Sequence, residues 1–341
     1  MSAALLQNDS LPVSDPPPAP GPQVKVNDPP PAPGPQVQVN LAGLVMKNPF
    51  TVASGTFASG REYADLWNSM AQIDLSVLGA LTTKGVSYGP WEGNEGTRIA
   101  ETASGMLNSI GLQNPGVEAF CQKDLAWLAS QEVPVIVNVS GHTVSEYVKV
   151  IQRLEQEPAV NAYEVNISCP NVDCGGMSFG VDPQAAAQVT RACREATKRP
   201  IFIKLSPNVT DITLIAQACE GAGADGLSLI NTVAGMAVDS KTRKPVFSRN
   251  VAGLSGPAIK PIALYAVNRV YYAVKIPIIG MGGISSASDV VEFLLAGATA
   301  VAVGTWNFHD PLAVPHLLDD FRLWCEHEGV KDVNELIGGL R

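Results

Sequence analysis

Between residues 50 and 305 the chain repeats one pattern eight times: a short β-branched run ending in glycine or a polar residue, then a helix-length segment. The runs are FTVASG (50–55), LGALTTKG (78–85), PVIVNVSG (134–141), AYEVNIS (162–168), PIFIKLSP (200–207), DGLSLINT (225–232), IPIIGMGG (276–283) and ATAVAVGT (298–305). Intervening segments such as TVSEYVKVIQRLEQ, DPQAAAQVTRACREATK, DITLIAQACEGAG and SASDVVEFLLAGA space apolar residues at i, i+3 and i+4. Several open with a Ser, Thr or Asp suited to N-capping. Strands that alternate with helices build a parallel sheet, and eight such units close into a barrel. An open doubly wound sheet uses the same alternation. The unit count and the gathering of polar residues at the strand C-termini favour closure, so the expected fold class is α/β, a (β/α)8 TIM barrel.

Bulk properties set limits on function. With 46% of 341 residues apolar, one large core can be filled. The formal charge is −9 and no long basic run occurs, which argues against nucleic acid or an anionic membrane as a partner. The six cysteines are scattered without a CxxC pair, and Cys169 and Cys174 are five apart. No metal site, iron–sulfur cluster or disulfide framework is therefore expected within this chain. The N-terminus lacks the basic start and apolar stretch of a secretory signal, and no apolar run reaches the roughly 18 residues of a membrane span. A soluble, cytoplasmic protein is expected.

Ahead of the barrel pattern lies a direct repeat. Residues 14–26 read SDPPPAPGPQVKV and residues 27–39 read NDPPPAPGPQVQV, and residues 1–40 hold 11 of the 26 prolines. Such a segment has few donors and little to bury, so residues 1–36 are read as an arm, extended in polyproline II or disordered. It is either a docking peptide for a proline-binding partner or a duplicated linker. The alternation in VQVNLAGLVMKNPF predicts a short N-terminal β-hairpin. The catalytic domain is drawn as residues 37–341.

A closed barrel places its chemistry on the loops that follow the strands. Those strand ends carry Ser54, Lys84, Gly85, Asn138, Asn166, Cys169, Lys204, Asn231, Thr232, Gly282, Gly283, Gly304 and Thr305. Gly282-Gly283 and Gly304-Thr305, after the last two strands, read as a phosphate cradle of exposed backbone N–H groups. Plain turn glycines are the alternative. Lys84 and Lys204 follow apolar strand residues, where an ammonium is costly unless it meets an anion or its head escapes to water. A flavin suits them, because a fixed ammonium stabilises the negative charge of the reduced ring. Asn108, in GMLNSIGLQNPG, joins Asn166, Asn171 and Asn231 as carboxamides that read a ring alternating C=O and N–H. Cys169, in NISCPN, is the candidate general base; Cys174, in the same glycine-rich loop, is the rival thiol. His142, His309, His316 and His327 form no recognisable triad.

These stretches together resemble the dihydroorotate dehydrogenases. The matches are NPFTVASGTF, TTKG, EGNEGTRIAETASGMLNSIGLQNPG, VNISCPN, GGMSFG, IFIKLSPN, LINT, GLSGPAIKP, IIGMGGISSASD and VGT, running from about residue 40 to the C-terminal region. Cysteine in NISCPN is similar to class 1, and the combination of NSIGLQNPG, GGMSFG, GLSGPAIKP and GMGGI is most like the class 1B catalytic subunit. The resemblance implies oxidation of dihydroorotate to orotate in de novo pyrimidine biosynthesis. Cys169 would take a proton from C5 while C6 gives hydride to FMN N5. It implies substrate contacts from Lys84, Asn108, Ser109, Ile110, Gly111, Leu112, Asn166, Asn171, Asn231 and Thr232. It implies FMN contacts from Ser54, Lys84, Gly85, Asn138, Asn166, Lys204, Ile230, Gly256, Gly282, Gly283, Gly304 and Thr305. A homodimer is implied, and in class 1B a heterotetramer with a partner subunit that carries FAD and a [2Fe–2S] cluster and passes electrons to NAD. Residues 233–252 would form a mobile loop near the site. The arm and the bulky Trp306 fall outside the family pattern. A dihydropyrimidine dehydrogenase-like flavoprotein and a non-catalytic barrel scaffold remain the rival readings.

Overall fold

A computed structural model of the protein describes residues 34–168, 170–171 and 177–341; the proline repeat up to residue 33, Cys169 and residues 172–176, Cys174 included, lie outside the described residues. Eight parallel strands form one sheet: β1 (Phe50–Val52), β2 (Leu81–Thr82), β3 (Val135–Val139), β4 (Val160–Asn166), β5 (Ile201–Lys204), β6 (Gly226–Leu229), β7 (Ile278–Met281) and β8 (Ala300–Val303). Their order is β1-β8-β7-β6-β5-β4-β3-β2, so the chain's first two strands stand at the two ends of the ladder. The ends meet. Gly79 N–H donates to Phe50 O at 3.0 Å, and the hydroxyls of Thr51 and Thr82 lie 3.0 Å apart. A side chain at Gly79 would put Cβ 2.0 Å from Asn48 O, so glycine permits this approach. The sheet is a closed barrel, as the alternation predicts.

Apart from Asn161 in β4, the barrel strands are buried along their whole length, which is why they read as continuous apolar runs. Helices α1 (Arg61–Ala71), α2 (residues 117–128, with a π-helical turn at its centre), α3 (Val144–Leu154), α4 (Pro183–Ala196), α5 (Ile212–Gly221), α6 (Lys260–Ala273), α7 (Ala287–Ala296) and α8 (Ala313–His327) surround it. Helix α3 shows how local sequence builds each unit. Thr143 caps it by accepting from Glu146 N–H, and Tyr147, Val150, Ile151 and Leu154 form one buried stripe. Helix α7 starts with a full capping box, Ser286 with Asp289.

The predicted hairpin is present: Val39–Leu41 pairs with Leu44–Met46 across Ala42 and Gly43, both at positive φ. Residues 34–36 belong to the folded unit. Gln36 N–H donates to Lys331 O at 2.8 Å and Gln36 O accepts from Val333 N–H at 3.0 Å.

The segment expected to form a loop near the site, 233–252, carries short strands at 233–235, 238–239 and 244–245. A four-stranded antiparallel sheet runs Val233–Gly235, Ala252–Ser255, Gly105–Asn108 and Ile99–Thr102, with a second hairpin pairing Val238–Asp239 and Lys244–Pro245. Leu107, Phe247 and Ala252 give it a small core of its own.

Candidate active site

A cavity of about 480 Å³ opens at the C-terminal ends of the barrel strands, with the antiparallel sheet contributing Ile99, Met106, Asn108 and Ala252 to its wall. Strand register assembles its floor. In the β3–β4 ladder Asn138 faces Glu164, and in the β4–β5 ladder Asn166 faces Lys204. The two-residue period of a strand puts Glu164 and Asn166 on one face. The result is a polar cluster in which Asn138 Nδ2 donates to Glu164 Oε1 at 2.6 Å and Lys204 Nζ lies 3.3 Å from the same oxygen. Lys204 Nζ also reaches Ser54 Oγ at 3.4 Å. Glu164 is 1% exposed and Lys204 5%.

Beside this cluster Asn231 Nδ2 donates to Ser168 Oγ at 2.9 Å and lies 3.4 Å from Asn166 Oδ1. Asn231 Oδ1 accepts from Thr232 N–H at 2.8 Å. Tyr147 hydroxyl holds the Asn166 backbone carbonyl at 2.7 Å. Across the cavity, Asn108 Nδ2 donates to Gly253 O at 3.2 Å, tying the two central strands of the antiparallel sheet together. Gly111 and Leu112 take left-handed backbone conformations, which turn the 109–112 segment along the cavity wall.

Lys84 is half-buried, and no carboxylate among the described residues forms a salt bridge with it. Burial holds its pKa below the usual lysine range, and the nearby Arg98 charge adds to this. An ammonium without a salt bridge among the described residues, with the Arg98 charge only partly offset by Glu62, is a place where an anionic group is favoured.

The opposite end of the cavity is made of backbone. Gly283 has φ +80°, and a Cβ there would lie 2.8 Å from Lys260 N and 3.0 Å from Gly256 O. Gly256, Gly282, Gly304 and Thr305 line the same end. Lys260 is not part of this cradle's charge, because its Nζ is taken by Asp289 at 2.6 Å and Glu292 at 2.9 Å. That pairing, with Ser285 and Ser286 N–H donating to Asp289 Oδ2, fixes the loop between β7 and α7.

Every candidate site residue whose side chain is described lines this cavity: Ser54, Lys84 and Gly85 from the first two strand ends; Asn138, Asn166 and Lys204 from the floor; residues 108–112; Ile230 through Thr232; Gly256; and the glycine end. The Asn171 side chain and all of Cys169 lie outside the described residues. The other cysteines within the fold are poor bases. Burial pushes Cys121 and Cys325 up to about 11 and Cys193 and Cys219 up to about 12.

Several wall residues were not picked out in advance. Asn208 clamps the start of the antiparallel sheet, with Nδ2 donating to Thr232 O at 3.0 Å and Oδ1 accepting from Ala234 N–H at 2.8 Å. Asn94 Nδ2 holds Ser109 Oγ at 2.9 Å. Trp306, already set apart in the sequence by its bulk, also lines the cavity and stacks on His309 with ring centres 4.3 Å apart, so its bulk is partly absorbed by packing. The signal for Glu164 was available: a single charge in the apolar strand AYEVN.

The sequence model of the family described as dihydroorotate dehydrogenase matches residues 36–323. The chain belongs to the dihydroorotate dehydrogenase family. It is 54% identical over 301 residues to the dihydroorotate dehydrogenase B (NAD(+)) catalytic subunit of Pelobacter propionicus, covering 88% of this chain and 97% of that one. The protein of the same name from Lachnoclostridium phytofermentans is 52% identical over 301 residues, 88% of this chain and 98% of that one. That from Anoxybacillus flavithermus is 51% identical over 298 residues, 87% and 94%. A dihydroorotate dehydrogenase family member implies a flavin, and the cavity fits one on its own terms. It has a glycine cradle at one end and two lysines and several carboxamides at the other. Two buried acceptors, Asn138 Oδ1 and Ser140 Oγ, have no partner among the described residues. Among the described residues no group of His, Cys, Asp and Glu is arranged to hold a metal, and no helix is long and apolar enough to cross a membrane.

Proposed function

We propose that this chain is the catalytic subunit of a B-type dihydroorotate dehydrogenase, oxidising dihydroorotate to orotate in the cytoplasm for pyrimidine biosynthesis. The observation that carries the reading is the single cavity in which a glycine cradle faces an asparagine- and lysine-lined floor, on a chain about half identical to proteins of that name.

Gly282, Gly283, Gly304 and Thr305 would hold the phosphate of FMN. Ser54, Lys84, Gly85, Asn138, Asn166, Lys204, Ile230 and Gly256 would hold the rest. Bound FMN supplies the hydride acceptor. Asn108, Asn166, Asn171 and Asn231 offer amide donors and acceptors to the dihydropyrimidine ring, with Ser109 through Leu112 and Thr232 completing the wall. Lys84 balances the substrate's carboxylate. Cys169 removes the proton from C5 as hydride leaves C6, so that the ring double bond forms as a proton and an electron pair depart to different acceptors. Lys204 supplies a fixed positive charge on the floor where negative charge gathers. The antiparallel sheet excludes water from the mouth.

The chain would work as a homodimer, and as a heterotetramer with a subunit bearing FAD and a [2Fe–2S] cluster that hands electrons to NAD. Purified protein should be yellow, and anaerobic dihydroorotate should bleach the flavin band. Dihydrouracil should not. Bleaching by dihydrouracil alone would favour the dihydropyrimidine dehydrogenase-like reading, and protein unable to take up FMN would mark a scaffold. Co-purified partner protein should confer NAD reduction.

A further inference from the structure

Glu164 is not itself part of the cavity wall, yet it is bonded to two residues that are. Its Oε1 accepts from Asn138 Nδ2 at 2.6 Å and from Lys204 Nζ at 3.3 Å. Asn138 and Lys204 both line the cavity. A carboxylate this deeply buried is costly unless it is paired and hydrogen-bonded, as it is here.

Two consequences follow from the chemistry of the groups. A carboxylate accepts and does not donate, so it turns the NH2 end of the Asn138 amide toward itself. The other end, Asn138 Oδ1, is then a buried acceptor without a partner among the described residues. It points to the space beside Gly85, where a Cβ would meet it at 2.9 Å. Ser140 Oγ, also unpartnered, lies 3.1 Å from the same point. Secondly, the positive charge that Lys204 presents to the cavity is opposed from behind by one negative charge. Interactions between charges buried this far are weakly screened.

We propose that Glu164 is a positioning residue that sets, through Lys204 and Asn138, the charge and the hydrogen-bonding edge that the barrel floor presents to the flavin ring. The proposal rests on the reading that the cavity holds FMN. A cation facing the ring favours the reduced, negatively charged flavin. A carboxylate behind that cation holds the preference in check.

The test is the midpoint potential of bound FMN, measured by spectroelectrochemical titration at one pH in wild type, E164Q, K204M and the double variant. None of these measurements uses dihydroorotate. In E164Q the amide oxygen can still accept from Asn138, so shape is kept and charge is lost. E164Q should raise the potential and K204M should lower it. In the K204M background the Glu164→Gln change should move the potential much less, because the lysine through which Glu164 acts is gone. A Glu164 that only supports the fold would lower thermal stability and leave the potential where it was. An E164Q potential equal to or below wild type overturns the proposal. Should E164Q fail to hold FMN, E164D decides. Drawing the charge back by one methylene should raise the potential by a smaller amount, and an unchanged value overturns the idea. Wild type that binds FMN without oxidising dihydroorotate defeats the proposed function and leaves this test standing.

Discussion

Two glycines of the cradle, Gly283 and Gly304, make separable predictions, and together they test whether the backbone end of the cavity grips a phosphate. Gly283 sits at φ +80°, and a Cβ there would meet Lys260 N at 2.8 Å and Gly256 O at 3.0 Å. These two obstacles are backbone and the third, Lys260 Cβ at 2.8 Å, is fixed to it, so none can swing aside. An alanine at Gly283 meets a left-handed penalty of about 1–2 kcal/mol before any overlap is counted. Relief requires moving the loop between β7 and α7, and that loop is held by Asp289. G283A should therefore destabilise the FMN-free protein by about 2 kcal/mol and weaken FMN by roughly tenfold or more, since each 1.4 kcal/mol is tenfold. Gly304 differs. A Cβ there has one neighbour, Ala53 Cβ, at 3.4 Å, an ordinary contact. G304A should leave the FMN-free stability within about 0.5 kcal/mol of wild type, yet place a methyl where a ligand's phosphate would approach the backbone. FMN fluorescence quenching gives affinity, and urea unfolding of the FMN-free protein gives stability. If G304A binds FMN as tightly as wild type, the phosphate does not lie against Gly304. If G283A is as stable as wild type, the clash argument is wrong.

Cys169→Ala should keep FMN bound and slow flavin reduction by dihydroorotate roughly 10²–10⁴-fold in stopped flow, while Cys174→Ala should not; the opposite result would move the base to Cys174. Lys84 carries its charge in the FMN-free protein against burial and the Arg98 charge. Its folded pKa lies below the unfolded 10.5, so the penalty is fully present below the folded pKa and fades as pH rises toward 10.5. K84M should thus be more stable than wild type at neutral pH, with the gap closing on the way to pH 10.5 and with flavin reduction by dihydroorotate lost; urea midpoints across that range check the sign. A chain starting at Asn40 loses the Gln36 pairing to residues 331–333 and the buried Val37 and Val39. It should be about 3 kcal/mol less stable in urea than one starting at Gly34.

What could be read in advance divides along sequence distance. Each barrel unit announces itself within about 30 residues: a buried strand, a polar residue at its end, a capped helix such as 144–154. Because closure carries every strand end to one rim, a list of strand ends was already a list of cavity residues. The antiparallel sheet offered no such cue. Its central pairing joins Gly253 to Asn108, 145 residues apart, through strands of four residues that carry too little periodicity to stand out. The loop expected at 233–252 came from the family resemblance, and strands this short carry no pattern of their own to set beside it. Glu164 was missed for a different reason. Its partners Asn138 and Lys204 were each noticed as strand-end groups that face a ligand, and a residue that faces those groups from inside the barrel has no place in such a list. Its lone charge stands out in the strand, but only register reveals its partners: Asn138 opposite Glu164, with Lys204 opposite Asn166 one pleat further along. A charge embedded in an apolar strand is costly enough that it must answer to another buried group. In a barrel, that group is to be sought on the neighbouring strands at matching height or one pleat away, and here both neighbours supply one.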